Sequence, residues 1–212
     1  MGEVLSVSQQ QPSQEALAQA SYVLASGGVL VMPTDSVYGI GCAARSGNPG
    51  HQRIFDIKRR ERSQTLPWLV ADFEDLSRYA SSAPRSALEL ALFFWPGALT
   101  LVVPASEEVP AEYRGADGSI ALRMPDSPLV RELARRVGTP LATTSANTHG
   151  EAAATSGLGV EERIVAEADL TLDAGPAPLA VASTIVSLLD GEPRILREGA
   201  IPAHQIAKIV RR

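Results

Sequence analysis

Six short apolar runs, at residues 29–32, 66–70, 99–103, 119–124, 140–144 and 183–189, recur along the chain, separated by stretches with helical spacing. Runs of this length bounded by glycine or proline predict buried strands. Ser13 can cap a helix reaching about Ser26, with Leu17, Ala20 and Leu24 on one face and Gly27-Gly28 at its end. Asn48-Pro49-Gly50 reads as a turn before a one-sided helix that carries Ile54 and Ile57 and ends at Lys58. Pro84 suits the first turn of another helix, with Leu88, Leu92 and Trp95 marking its buried face. Ser127-Pro128 opens a helix with Leu129, Leu133 and Val137 inward, and Pro202 starts a short last one. Asp190-Gly191 joins 183–189 to 193–197 as a β-hairpin. Strands interleaved with helices, plus a hairpin, restrict the fold class to α/β, a twisted open mixed sheet with flanking helices. Val4, Leu5 and Val7 suit a short edge strand, and the Gly, Ala, Ser and Thr-rich segment 148–160 reads as a flexible loop.

At 212 residues, with 45% apolar and 20% charged side chains, the chain suits one folded unit, and no linker or repeat divides it. The net charge of −5 argues against a general nucleic-acid coat. One cysteine, Cys42, excludes an internal disulfide, and no signal peptide or long apolar span is present, so a cytoplasmic protein is expected. His51, His149, His204 and Cys42 show no ligand spacing, so no metal site is expected.

The stretch 28–62 concentrates the chemistry. A strand ends at Pro33, the loop Thr34-Asp35-Ser36 offers hydroxyls and a carboxylate, and Gly39 and Gly41 permit a sharp turn or a close ligand approach. Arg53, Lys58, Arg59, Arg60 and Arg62 follow, a run whose plainer reading is a solvated helix face. Further clusters sit at strand ends: Thr143 to Asn147, and Ser183 with Arg197. On the run 119–124, Arg123 alternates with Leu122 and so faces away from the apolar side. Four cations with hydroxyls and an amide, but no carboxylate pair, Cys/His pair or Ser/His/Asp set, suit charge stabilisation on an anionic substrate. No Walker A or dinucleotide glycine motif is present, so side chains and local amides would hold any phosphate.

Seven motifs occur in order: Pro33-Thr34-Asp35-Ser36-Val37-Tyr38-Gly39, Lys58-x-Arg60, Phe94-Trp95-Pro96-Gly97-x-Leu99-Thr100, Leu122-Arg123-Met124-Pro125, Thr144-Ser145-Ala146-Asn147, Ala182-Ser183-Thr184-Ile185-Val186 and Leu196-Arg197-x-Gly199. Together they resemble the YrdC-like threonylcarbamoyl-AMP synthases over about residues 15–202, as a short single-domain form spanning 1–212. The resemblance implies a YrdC-like fold with a positively lined cleft. It implies synthesis of threonylcarbamoyl-AMP and pyrophosphate from L-threonine, bicarbonate and ATP, with Mg²⁺ carried on the nucleotide. The product would pass to a tRNA threonylcarbamoyl transferase system.

On that resemblance Lys58, Arg60, Ser145 and Asn147 are the expected catalytic set, and they hold ATP together with Ser119 and Arg197. Ser36, Tyr38, Arg123, Thr143 and Ser183 would hold threonine, with Arg123 pairing its carboxylate. Ser36 stands where the family usually has Thr. Glu61 and Thr65 replace the usual prolines with Pro67 displaced, which leaves contacts from Gln64 and Leu69 open, and Thr148-His149-Gly150 replaces Leu-Ser-Gly. The competing reading is a non-catalytic RNA-binding protein of the same fold, YciO-like; carbamoyl transfer is a third. The intact Lys58-x-Arg60 and Ser145-x-Asn147 pairs favour the synthase.

Overall fold

The structure is a computed structural model that describes residues 2–61 and 65–210. Arg62 and Gln64 lie outside the described residues. In chain order the elements are β1 (Val4–Ser6), α1 (Gln14–Ala25), β2 (Leu30–Met32), β3 (Gly39–Ala43), α2 (Pro49–Lys58), β4 (Trp68–Leu69), α3 (Asp75–Tyr79) and α4 (Arg85–Phe94). Then follow β5 (Leu99–Pro104), β6 (Ser119–Arg123), α5 (Pro128–Val137), β7 (Leu141–Ser145), α6 (Glu162–Glu167), β8 (Leu170–Asp173), β9 (Thr184–Ser187), β10 (Arg194–Arg197) and α7 (Ala203–Val210). The strands form one sheet in the order β1-β8-β2-β3-β7-β4-β6-β5-β9-β10. Four neighbouring pairs are parallel (β1/β8, β2/β8, β4/β6, β5/β9) and the other five antiparallel, so the sheet is mixed.

Side chains cap the starts of α1, α2 and α5. Ser13 Oγ accepts from Ala16 N at 3.1 Å, and Asn48 Oδ1 accepts from Gly50 N at 2.9 Å. Pro49 is therefore the first residue of α2 rather than part of a preceding turn. In α4 one expected core position is corrected: Trp95 is buried and Leu88 packs partly buried against the same core, but Leu92 does not. Ala87, Leu90 and Ala91 are buried, whereas Leu92 is 70% exposed. This helix packs on both β5 and α7, and small residues permit the close approach. Pro84 precedes the helix, with an extended backbone.

Three further expectations change. Gly39 and Gly41 lie inside β3, paired with Ser145 and Thr143, and are not in a turn. An added Cβ on Gly41 would lie 2.5 Å from Thr143 Oγ1, and one on Gly39 would lie 2.7 Å from Thr143 Cγ2, so both glycines make room for the Thr143 side chain. The segment 148–160 is tied down rather than free: Tyr38 N donates to Ala154 O and Ala177 N to Thr155 O, while Ala154 and Val160 are buried. Residues 161–182, for which the periodicity offered no element, hold α6 and β8.

Side chains alternate across the sheet and define two faces. Val31, Ile40, Trp68, Leu101 and Leu122 share one core with Ile54 of α2, Leu90 of α4, Ile164 of α6 and Ile206 of α7. Leu30, Met32, Ala43 and Leu69 join Leu17 and Leu24 of α1 and Leu129 and Leu133 of α5 on the other. Two helices, each about 10 Å across, cover only about four strands spaced about 4.8 Å apart. Toward β6, β5 and β9 this second face is therefore uncovered, and it carries Thr100, Val102, Ala121, Arg123 and Ile185.

Candidate active site

The uncovered face forms the floor of a cleft of about 510 Å³, within the range of small-molecule sites. Its walls include Ser36 and Gly39, Arg60 and Thr65, Thr143 to Ser145 with Asn147, and Ser183 with Arg197. The glycines of β3 leave room for the Thr143 side chain above the floor. Glu151 is the one carboxylate residue lining the cleft among the described residues.

Arg123 is 6% exposed and anchors one end. Its Nε donates to Gly97 O at 3.0 Å, Nη1 to Ser36 Oγ at 2.7 Å, and Nη2 to Asp35 Oδ1 at 2.5 Å. Three of its five N–H groups thus have partners in the protein. Burial pushes the Asp35 carboxyl up although Arg123 beside it pulls the other way. Asp35 Oδ2 is buried without a hydrogen-bond partner among the described residues.

The adjoining hydroxyls have an assignable proton order. Thr34 Oγ1 donates to Val37 O at 2.7 Å, which uses its only hydrogen. In the 3.1 Å contact between Thr34 Oγ1 and Ser36 Oγ, Ser36 must therefore be the donor. Ser36 then has no hydrogen left and meets a ligand only as an acceptor. Thr143 Oγ1 donates to Leu141 O at 3.1 Å and is an acceptor toward the cleft by the same count. Across the floor, Ser183 Oγ and Thr100 Oγ1 lie 2.9 Å apart, so one of their two hydrogens remains for a ligand. Arg197 leans on this pair, with Nη2 2.8 Å from Ser183 O.

Arg60 Nη1 donates to Thr144 Oγ1 at 3.2 Å, and its Nε is buried without a partner among the described residues. Burial holds the Arg60 guanidinium below its ordinary pKa. Asn147 Nδ2 donates to Thr148 O and Glu151 O, which shapes the turn after β7.

Three expected residues sit differently from the rest. Lys58 does not line the cleft. Its Nζ is 2.5 Å from Ser145 O, 2.6 Å from Asn147 O and 3.4 Å from Asn147 Oδ1, because three oxygens at the end of β7 satisfy a buried ammonium. Burial, and then the Arg60 charge, pull its pKa down to about 8, while the three acceptors call for a protonated amine. Ser119 starts β6, at the opposite end from Arg123, and its amide is held by Asp117 Oδ1, so it lies outside the cleft. Tyr38 borders the cleft, but its hydroxyl is turned to Gly175 O, 2.7 Å away. The remaining expected residues, Ser36, Arg60, Arg123, Thr143, Ser145, Asn147, Ser183 and Arg197, share the cleft. Sequence reasoning missed Thr100 and Glu151. Thr100 alternates with Leu99 and Leu101 as Arg123 does with Leu122, which was a usable signal; Glu151 had none.

The Sua5–YciO–YrdC family model, described as telomere recombination, matches residues 22–199. A threonylcarbamoyl-AMP synthase of Pyrococcus abyssi is 36% identical over 184 residues, 87% of this chain and 54% of that protein. The chain thus spans about half the length of that curated relative. The structure of P. abyssi Sua5 complexed with L-threonine matches with a TM-score of 0.91 and 33% identity, over 98% of this chain and 60% of that one. Escherichia coli YciO matches with a TM-score of 0.85 and 27% identity, over 94% and 96%. With the family model covering most of its length, this chain belongs to the Sua5–YciO–YrdC family.

Proposed function

We propose that the chain is a threonylcarbamoyl-AMP synthase, acting on L-threonine, bicarbonate or carbon dioxide, and ATP. The observation that carries this reading is the cleft itself, where Arg60, Arg123 and Arg197 converge with hydroxyl groups of both donor and acceptor character. In the reaction, threonine's ammonium loses a proton and its amine adds to carbon dioxide, releasing a second proton to give the carbamate. A carbamate oxygen then attacks the α-phosphorus of ATP, and the electron pair of the α–β bridging bond leaves with pyrophosphate.

Arg60 and Arg197 would meet the charge growing on the phosphates, where pre-aimed donors are most effective. Ser145, and Asn147 at the turn after β7, would add hydrogen bonds. Lys58 would act from behind that turn, holding its carbonyls. Ser36 and Thr143 would accept from threonine's amine or hydroxyl, and Arg123 and the Thr100–Ser183 pair would donate. Mg²⁺ would arrive on the triphosphate. No cluster of three His, Cys, Asp or Glu side chains occurs among the described residues, and Glu151 is the one carboxylate at hand on the wall. The reading places the chain in the cytoplasm, with its product handed to a tRNA threonylcarbamoyl transferase system. No helix among the described residues is long and apolar enough to cross a membrane.

The test is pyrophosphate release with L-threonine, bicarbonate, ATP and Mg²⁺. Threonine-dependent release is expected; ATP turnover indifferent to threonine, or no turnover, would overturn the reading. RNA binding without catalysis is disfavoured by the net charge of −5 and by cations gathered in a cleft rather than on an open face.

A further inference from the structure

The end of α2 and the turn after β7 are joined by a network that the reaction does not use. Glu161, which precedes α6, accepts from Thr148 N and Thr148 Oγ1, each at 2.6 Å. Arg163 Nη2 donates to the same Thr148 Oγ1 at 2.8 Å, and its Nη1 donates to Ile57 O at 2.6 Å. Ile57 O belongs to the last turn of α2, where carbonyls lack helical partners. A fourth link closes the ring: His149 N donates to Lys58 O at 2.9 Å. Arg60, two residues past the helix, and Asn147, one residue before Thr148, face the cleft from the two joined segments.

We propose that Glu161 and Arg163 are positioning residues, which fix the end of α2 against the turn after β7 and so set the spacing between Arg60 and the Ser145–Asn147 turn. The proposal rests on the synthase reading for its kinetic consequence, although the clamp itself can be measured without turnover. Arg163 joins the two segments from outside both, at Ile57 O and Thr148 Oγ1, on the far side of Thr148 from the Lys58 Nζ contacts with Ser145 O and Asn147 O. Glu161 has a second effect, because its charge also acts on the buried Lys58 ammonium, opposing burial and Arg60. The other groups facing Lys58 are carbonyl and amide oxygens of Ser145 and Asn147, which do not titrate.

Two lysines occur in the chain, Lys58 and Lys208, so ¹³C labelling of lysine gives one assignable buried resonance. In Glu161→Gln the amide can still bond Thr148, but the charge is gone. The Lys58 titration midpoint should fall below its wild-type value. In Arg163→Met the amides of Thr148 and His149 should exchange on the order of tenfold faster, and the ATP KM should rise about tenfold, as small misplacements of reacting groups do. Arg163→Lys, able to reach one acceptor but not both, should fall between. Wild-type exchange and wild-type ATP KM in Arg163→Met would overturn the clamp, and an unmoved Lys58 midpoint in Glu161→Gln would overturn the charge effect assigned to Glu161. Absence of threonine-dependent pyrophosphate release from the wild type would instead overturn the synthase reading, with the titration and exchange still deciding whether the clamp exists.

Discussion

Ser36 has one hydroxyl hydrogen, and Thr34 already takes it. Its value to the cleft is as an acceptor and as the partner of Arg123 Nη1. Ser36→Ala removes both at once and leaves a buried guanidinium hydrogen unpaired, a loss of about 1–3 kcal/mol. Steady-state kinetics at saturating ATP should then show a threonine KM raised about tenfold or more, and a wild-type KM would remove Ser36 from the amino-acid site. Arg123 is a harsher case because its partner is a buried carboxylate. Arg123→Met strands Asp35, and breaking a buried pair from one side costs about 3–5 kcal/mol. Adding Asp35→Leu should recover most of that in denaturant unfolding, since the uncompensated charge, and not the lost attraction, dominates the cost. No recovery in the double variant would show that Arg123 acts chiefly through Gly97 and Ser36.

At the scale of elements, β3 shows why a glycine-rich strand can position a site. Gly41 opposes Thr143, and a methyl there would lie 2.5 Å from Thr143 Oγ1 and 2.9 Å from both Ala142 O and Met32 Cε. Gly41→Ala should destabilise the fold by about 1–3 kcal/mol through overpacking, read as a shifted denaturant midpoint at constant slope. A neutral outcome would mean that β3 and β7 can separate without loss. The same strand marks a limit of the sequence pattern. Periodicity records apolar side chains, so the runs at 29–32, 99–103 and 119–124 were legible, whereas a strand reading Gly-Ile-Gly-Cys-Ala shows little alternation. Arg123 could be placed on the cleft face because β6 alternates cleanly. Lys58 could be located at the end of α2, but its direction depends on where the carbonyls of Ser145 and Asn147 lie, across 87 and 89 residues of chain. Leu92 was misplaced for a related reason: which face of α4 is buried depends on α7, packed beside it from the end of the chain.

At the scale of the whole molecule, a buried imidazole and a set of surface carboxylates respond to acid in different windows. The covered face holds a chain of ring contacts, mostly edge-to-face, from α2 to α3. His51 packs 4.3 Å from Tyr113, which lies 5.4 Å from Trp68, which lies 5.1 Å from Tyr79. His51 Nε2 is buried without a partner among the described residues, and burial depresses the imidazole pKa below 6.5 despite the opposing Glu112 charge. The unfolded chain therefore binds a proton at higher pH than the folded one. Stability is retained above 6.5 and is lost as the pH falls from 6.5 toward the depressed folded value. Asp72, Glu161 and Asp169 have carboxyls lowered by hydrogen bonds and neighbouring arginines, and Asp117 by hydrogen bonds alone, and they respond in a separate window. Their contribution is present above about 4 and disappears only below it, and salt weakens it because these groups are largely exposed. Unfolding free energy measured from pH 8 to 3 should thus decline in two stages, the upper one insensitive to salt. His51→Phe keeps a ring between Phe55 and Tyr113 and removes the titrating nitrogen. It should abolish the stage just below pH 6.5 and leave the lower one in place; an unchanged upper stage would assign it to groups other than His51.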